Sequence, residues 1–103
     1  MKIEKEKLEQ AFKEMEGEGK KYDRREIYQK GGLYLGVVVY EDKRGEKKRA
    51  IVIRTGNPRN SVAITGEDIG DLQEIVDILT ENEDIFKELV KRDSKTKTVN
   101  VFK

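Results

Sequence analysis

Asp42-Lys43-Arg44-Gly45-Glu46 constrains the fold more than any other run, because it stands between two stretches whose apolar residues recur at every second position. Such a run fits a three-residue hairpin loop, a type I turn closed by a left-handed glycine, and that geometry pairs Asp42 with Glu46. Counting back from the loop, Tyr40 faces Lys48, Val38 faces Ala50, Gly36 faces Val52 and Tyr34 faces Arg54. Leu35, Val37, Val39, Ile51 and Ile53 then share the opposite face. Lys30-Gly31-Gly32 permits the same loop type, which would pair Tyr28 with Tyr34, Arg24 with Val38 and Tyr22 with Tyr40. The pattern predicts strands over residues 22–29, 33–41, 47–55 and 61–64.

Helical periodicity brackets this block. Leu8, Ala11, Phe12 and Met15 make one apolar stripe within residues 3–16, ended by Gly17 and Gly19. Thr65 reads as the N-cap of a second helix, with Glu67 and Asp68 in a first turn where carboxylates suit the helix dipole. Ile69, Leu72, Ile75, Val76 and Leu79 form its stripe, and Ile85, Phe86, Leu89 and Val90 form another, so the helix kinks or restarts near Asn82. The expected fold is α+β: an N-terminal helix (1–19), a four-stranded antiparallel meander (22–64), then a long or broken amphipathic helix (66–91) packed on one sheet face. Residues 92–103 read as a basic tail or extra edge strand of the same single domain, 1–103. The second half of the late helix needs a cover, supplied by the first helix or by a second copy of the protein, so a homodimer or higher homo-oligomer is expected.

Composition narrows the chemistry. With no Cys and no His, disulfides, zinc fingers, thiol nucleophiles and imidazole bases are excluded, and no cofactor is expected. Glu67, Asp68, Asp71 and Glu74 are the nearest approach to a Mg²⁺ site, but a first helical turn favours carboxylates through its dipole alone, so the chain reads as no enzyme. No phosphate-cradling G-x-x-x-x-G-K-[ST] loop is present. No uninterrupted apolar run is longer than that of residues 37–40, far short of the roughly 20 residues needed to cross a bilayer. A soluble, cytoplasmic protein with no membrane partner is the expectation. The dominance of Lys and Glu among charges that make up 42% of the residues is the composition of hyperthermophile proteins.

The formal net charge of +1 hides an uneven distribution. Residues 20–59 hold 12 basic and 5 acidic side chains, whereas residues 60–90 hold nine acids and one base. A field of one sign on one part of a small domain is the footprint of a polyanion binder. Under the registers above, one sheet face is aliphatic and belongs under the helices, while the other gathers Tyr22, Tyr28, Tyr34 and Tyr40 with Arg24, Lys48 and Arg54 around the small residues Gly36 and Ala50. Rings among cations suit single-stranded nucleic acid, whose bases stack on the rings and whose phosphates the cations neutralise. The loop between the third and fourth strands adds Arg59 as a phosphate contact. Two other readings stand beside this one. Tyr–Tyr and Tyr–Arg pairs also stabilise two-sided sheets, and in a third reading another subunit or the N-terminal helix covers this face and leaves nothing for a ligand. The alternative function is a protein-interaction or dimerisation module with an acidic helical face and no nucleic-acid ligand.

The order of parts, namely basic strands, Pro58-Arg59 in a turn, the short apolar strand Val62-Ala63-Ile64 and a capped amphipathic helix, resembles the positive-cofactor-four type of single-strand binding domain. With a helix before the strands it is more similar to the archaeal ThermoDBP-related proteins. The resemblance spans residues 22–90 and implies a twisted sheet packed on helices, assembly of protomers, and binding of single-stranded DNA or RNA on exposed strands. Ile69 stands where the coactivator family often has an aromatic residue at the start of the helix.

Overall fold

The computed structural model describes residues 1–56 and 60–91. The chain runs α1 (Lys5–Glu16), β1 (Tyr22–Lys30), β2 (Leu33–Glu41), β3 (Lys47–Arg54), β4 (Ser61–Ile64), a 3-10 turn (Gly66–Asp68), α2 (Ile69–Glu81) and α3 (Glu83–Leu89). The class is α+β, and the four strands form an antiparallel meander in the order β1-β2-β3-β4. The strand or basic arm expected over residues 92–103 lies outside the described residues.

The β2–β3 hairpin has the register its turn dictates, from Glu41 opposite Lys47 back to Tyr34 opposite Arg54. Asp42 organises the turn: its Oδ1 accepts the amide hydrogens of Arg44 and Glu46, each at 2.9 Å. Gly45 closes it at φ 81°, a conformation that a side chain would strain.

The β1–β2 hairpin departs from expectation. Its loop has only two residues, Gly31 and Gly32, so Lys30 faces Leu33, Gln29 faces Tyr34, and Tyr28 faces Leu35 rather than Tyr34. A bulge between Glu26 and Tyr28 then restores the expected pairing of Glu26 with Gly36, Arg24 with Val38 and Tyr22 with Tyr40. The physical reason is the two-fold period of a strand. Without the extra residue every β1 side chain before the bulge would change faces, turning Tyr22 and Arg24 toward the core. The bulge also leaves Ile27 packed on the core beside α1. Opposite it the backbones approach closely, and a Cβ at Gly36 would lie 2.9 Å from the Arg25 carbonyl oxygen.

The core on the helix side is small: Met15, Val37 and Val39, flanked by Leu8, Phe12 and Ile27. Met15 has no exposed surface. Two strand arginines fasten α1 above this cluster. Arg25 donates from Nη1 to Glu14 at 2.7 Å, and Arg49 reaches Glu9 at 2.7 Å and Glu16 at 2.9 Å with its guanidinium 4.7 Å from the Phe12 ring. Arg25 holds the Glu14 carboxyl below its ordinary pKa through a direct hydrogen bond, and Arg49 does the same to Glu16.

The late helical segment starts and breaks where its sequence dictates. The Thr65 amide donates to Asp68 Oδ2 at 2.9 Å and its hydroxyl to Glu67 Oε2 at 2.7 Å, while the Asn82 side chain donates to the Ile78 carbonyl at 2.8 Å between α2 and α3. Its packing is less than expected. The first turn of α2, through Ile69 and Leu72, borders the aliphatic sheet face, and no residue of α2 or α3 is buried. Leu33, the first residue of β2, is exposed.

Candidate nucleic-acid interface

The strand registers build the sheet face turned away from α1 in rows. At the β2–β3 hairpin end Tyr22, Tyr40 and Lys48 lie side by side; next come Arg24, Val38 and Ala50, then Glu26, Gly36 and Val52, and finally Gln29, Tyr34 and Arg54. Six of the seven described residues expected on this face are therefore together: Tyr22, Arg24, Tyr34, Tyr40, Lys48 and Arg54. Tyr28 is the correction. The two-residue loop places it in register with Leu35 of the opposite face, so it does not join the other rings. Arg59 lies outside the described residues.

The rings are not equivalent. Tyr22 and Tyr40 form a directly opposed cross-strand pair, 54% and 38% exposed. Tyr34 is half-buried, with the Arg54 guanidinium 4.1 Å from its ring centroid. The floor between them is not open in the way the small residues suggest. Val38, Ala50 and Val52 form a second buried cluster, and Glu26 Oε2 lies 3.2 Å from where a Gly36 Cβ would stand.

Each of the three expected cations among the described residues has a carboxylate partner. Arg24 Nε is 3.2 Å from Glu26 Oε1, and Arg54 reaches the same oxygen at 3.2 Å from Nε and 2.9 Å from Nη2. Lys48 pairs with Glu46 at 3.1 Å, and that hydrogen bond raises the Lys48 pKa above its ordinary value. Glu26 is the residue that attention to rings and cations overlooks. Its signal was legible, because a carboxylate two residues beyond Arg24 must emerge on the same face of a strand.

The hairpin end carries more positive charge than the predicted set. The start of β1, the end of β2 and the start of β3 meet there, bringing Lys20, Lys21, Lys43, Arg44, Lys47 and Lys48 to one edge. Lys20 pairs with Glu18 and Lys47 with Glu41, while among the described residues no carboxylate pairs with Lys21, Lys43 or Arg44. The apolar periodicity that found the strands carries no information about these turn and strand-end residues.

Elsewhere the surface offers different chemistry. Between α1 and the start of α2 the aliphatic face opens into an apolar recess of about 250 Å³, bordered by Ile3, Leu35, Ile53, Ile64, Ile69 and Leu72. Among the described residues no group of three or more acidic side chains is placed to hold a metal ion; Glu67 and Asp68 are engaged by Thr65 instead. No helix among the described residues is long and apolar enough to cross a membrane. No protein-family model matches this sequence, and no curated protein is similar to it at a significant level.

Proposed function

We propose that this protein binds single-stranded nucleic acid, DNA or RNA, without catalysing a reaction, and does so in the cytoplasm as a homodimer or higher homo-oligomer. The observation that carries this reading is the exposed Tyr22–Tyr40 ring pair set among the cations of the hairpin end. Bases stack on those two rings, each stack contributing about 1–3 kcal/mol, and phosphates are met first by Lys43, Arg44 and Lys48. The strand then continues along the face toward Arg24 and the Tyr34–Arg54 stack, with Arg59 as a further phosphate contact. Tyr28 takes no part. The similarity in order of parts to the ThermoDBP-related proteins agrees with this reading.

Self-association has its own observation. Ile75, Ile78, Leu79, Ile85, Phe86 and Leu89 of the two late helices are 44–75% exposed, and large apolar side chains left in water on neighbouring helices mark an interaction surface. A second copy laid on these stripes would bury them. The acidic residues of α2 and α3 then form an outer surface that repels nucleic acid and confines it to the basic sheet.

A salt-dependent titration comparing single-stranded DNA, single-stranded RNA and duplex DNA tests the binding. Tyr22→Ala and Tyr40→Ala are each expected to weaken single-strand binding by about 1–3 kcal/mol. If no single strand binds while light scattering gives the mass of a multimer, the protein is an assembly module instead.

A further inference from the structure

We infer that Glu26 is a built-in anion that occupies the Arg24–Arg54 subsite and sets affinity, because a nucleic-acid phosphate must displace it to enter. The inference rests on the nucleic-acid reading of this face and names the residue that regulates it. Two guanidinium groups converge on the single atom Glu26 Oε1, Arg24 from Nε at 3.2 Å and Arg54 from Nε at 3.2 Å and Nη2 at 2.9 Å. That is the arrangement of donors that recognises a phosphate oxygen.

The two sides of the subsite differ in freedom. Arg54 is held on three counts: its ring contact with Tyr34, its Nη1 hydrogen bond to the Thr55 carbonyl at 2.8 Å, and a side chain only 11% exposed. Glu26 is more open, at 35%. Its backbone is fixed opposite Gly36, but the carboxylate lies over a residue with no side chain to confine it. The carboxylate can therefore swing into solvent while the strand and Arg54 stay in place. Two cations share one anion here, so the pocket keeps a net positive charge even when closed. The contrast with Arg49 is direct, since its carboxylates come from α1, and freeing it would loosen a helix.

Fluorescence anisotropy of a labelled oligothymidylate across a salt series tests this with wild type and Glu26→Gln, which keeps the size and an acceptor oxygen but removes the charge. Glu26→Gln is expected to bind several-fold tighter at a given salt concentration, with a salt slope steeper by about 0.7 for each guanidinium it releases to a phosphate. A purely structural tie would not steepen that slope. If wild type binds and Glu26→Gln matches it in both affinity and slope, the inference is overturned while the binding reading stands. If neither protein binds at any salt concentration, both fall. Binding by Glu26→Gln alone supports the inference in its strongest form. Should Glu26→Gln fail to fold, the Nε–H signals of Arg24 and Arg54 in ¹⁵N spectra of wild type decide the matter. They are expected to shift when the oligothymidylate is added, and signals that stay in place under saturating ligand would overturn the proposal.

Discussion

The two faces of the sheet use the same residue types to opposite ends. Under α1, Arg25 and Arg49 reach across to Glu9, Glu14 and Glu16 of a separate element, so each ion pair also holds a helix in place. On the outward face, Arg24, Arg54 and Lys48 find Glu26 and Glu46 within the sheet and its own hairpin, so those pairs join strands that the ladder already holds together and fasten no helix. Exposed ion pairs in isolation contribute only about 0–1 kcal/mol. What separates the faces is therefore the consequence of breaking a pair: on one side a helix loosens, and on the other a cation is released to an incoming anion.

The largest expected effect sharpens this contrast from beneath. Met15→Ala removes the one side chain of α1 that is fully buried, and should lower unfolding stability by about 2–5 kcal/mol in a urea titration. Oligonucleotide affinity of the protein that remains folded should be unchanged, because the hydrogen bonds and ring contacts of the outward face do not pass through α1. Loss of both together would show that the two faces are coupled through the sheet.

Next in size is Arg49→Gln, which removes the ties to Glu9 and Glu16 and the contact with the Phe12 ring, and should cost about 1 kcal/mol at neutral pH. Its pH dependence has a definite sign. Arg49 holds the folded-state pKa of Glu16 below the ordinary 4.5, so that contribution is fully present above the ordinary value and is lost as pH falls through the depressed one. The gap between wild type and Arg49→Gln, read from unfolding midpoints, should therefore narrow in acid. A gap that widened there would contradict the assignment. The smallest effect belongs to the mirror-image variant. Lys48→Gln should leave the unfolding midpoint unchanged and flatten the salt slope of single-strand binding by about 0.7; a shift in the midpoint instead would make Lys48 a structural residue like Arg49.

The β2–β3 hairpin was legible because its turn carries its own instructions: Asp42 bonds two amides and Gly45 takes a positive φ, so loop length and register follow from local chemistry. Lys30-Gly31-Gly32 carries no such instruction, since paired glycines accept loops of two or three residues alike, and the face of Tyr28 depends on which loop forms. The site was legible as far as faces were legible. That Tyr22, Tyr34, Tyr40, Arg24, Lys48 and Arg54 share a side follows from alternation, while the pairing of two arginines with one oxygen of Glu26 depends on side-chain torsions that alternation does not fix.

Sequence alone determined the elements, their order and the inner and outer faces of the central strands, because period, caps and turn residues act over a few positions. Tertiary structure decided the bulge at Ile27, the docking of α1 through Arg25 and Arg49, and the failure of α2 and α3 to bury their stripes on the sheet. Those outcomes depend on contacts between distant segments, where one residue of offset or the reach of one side chain selects among arrangements that local preferences leave equal.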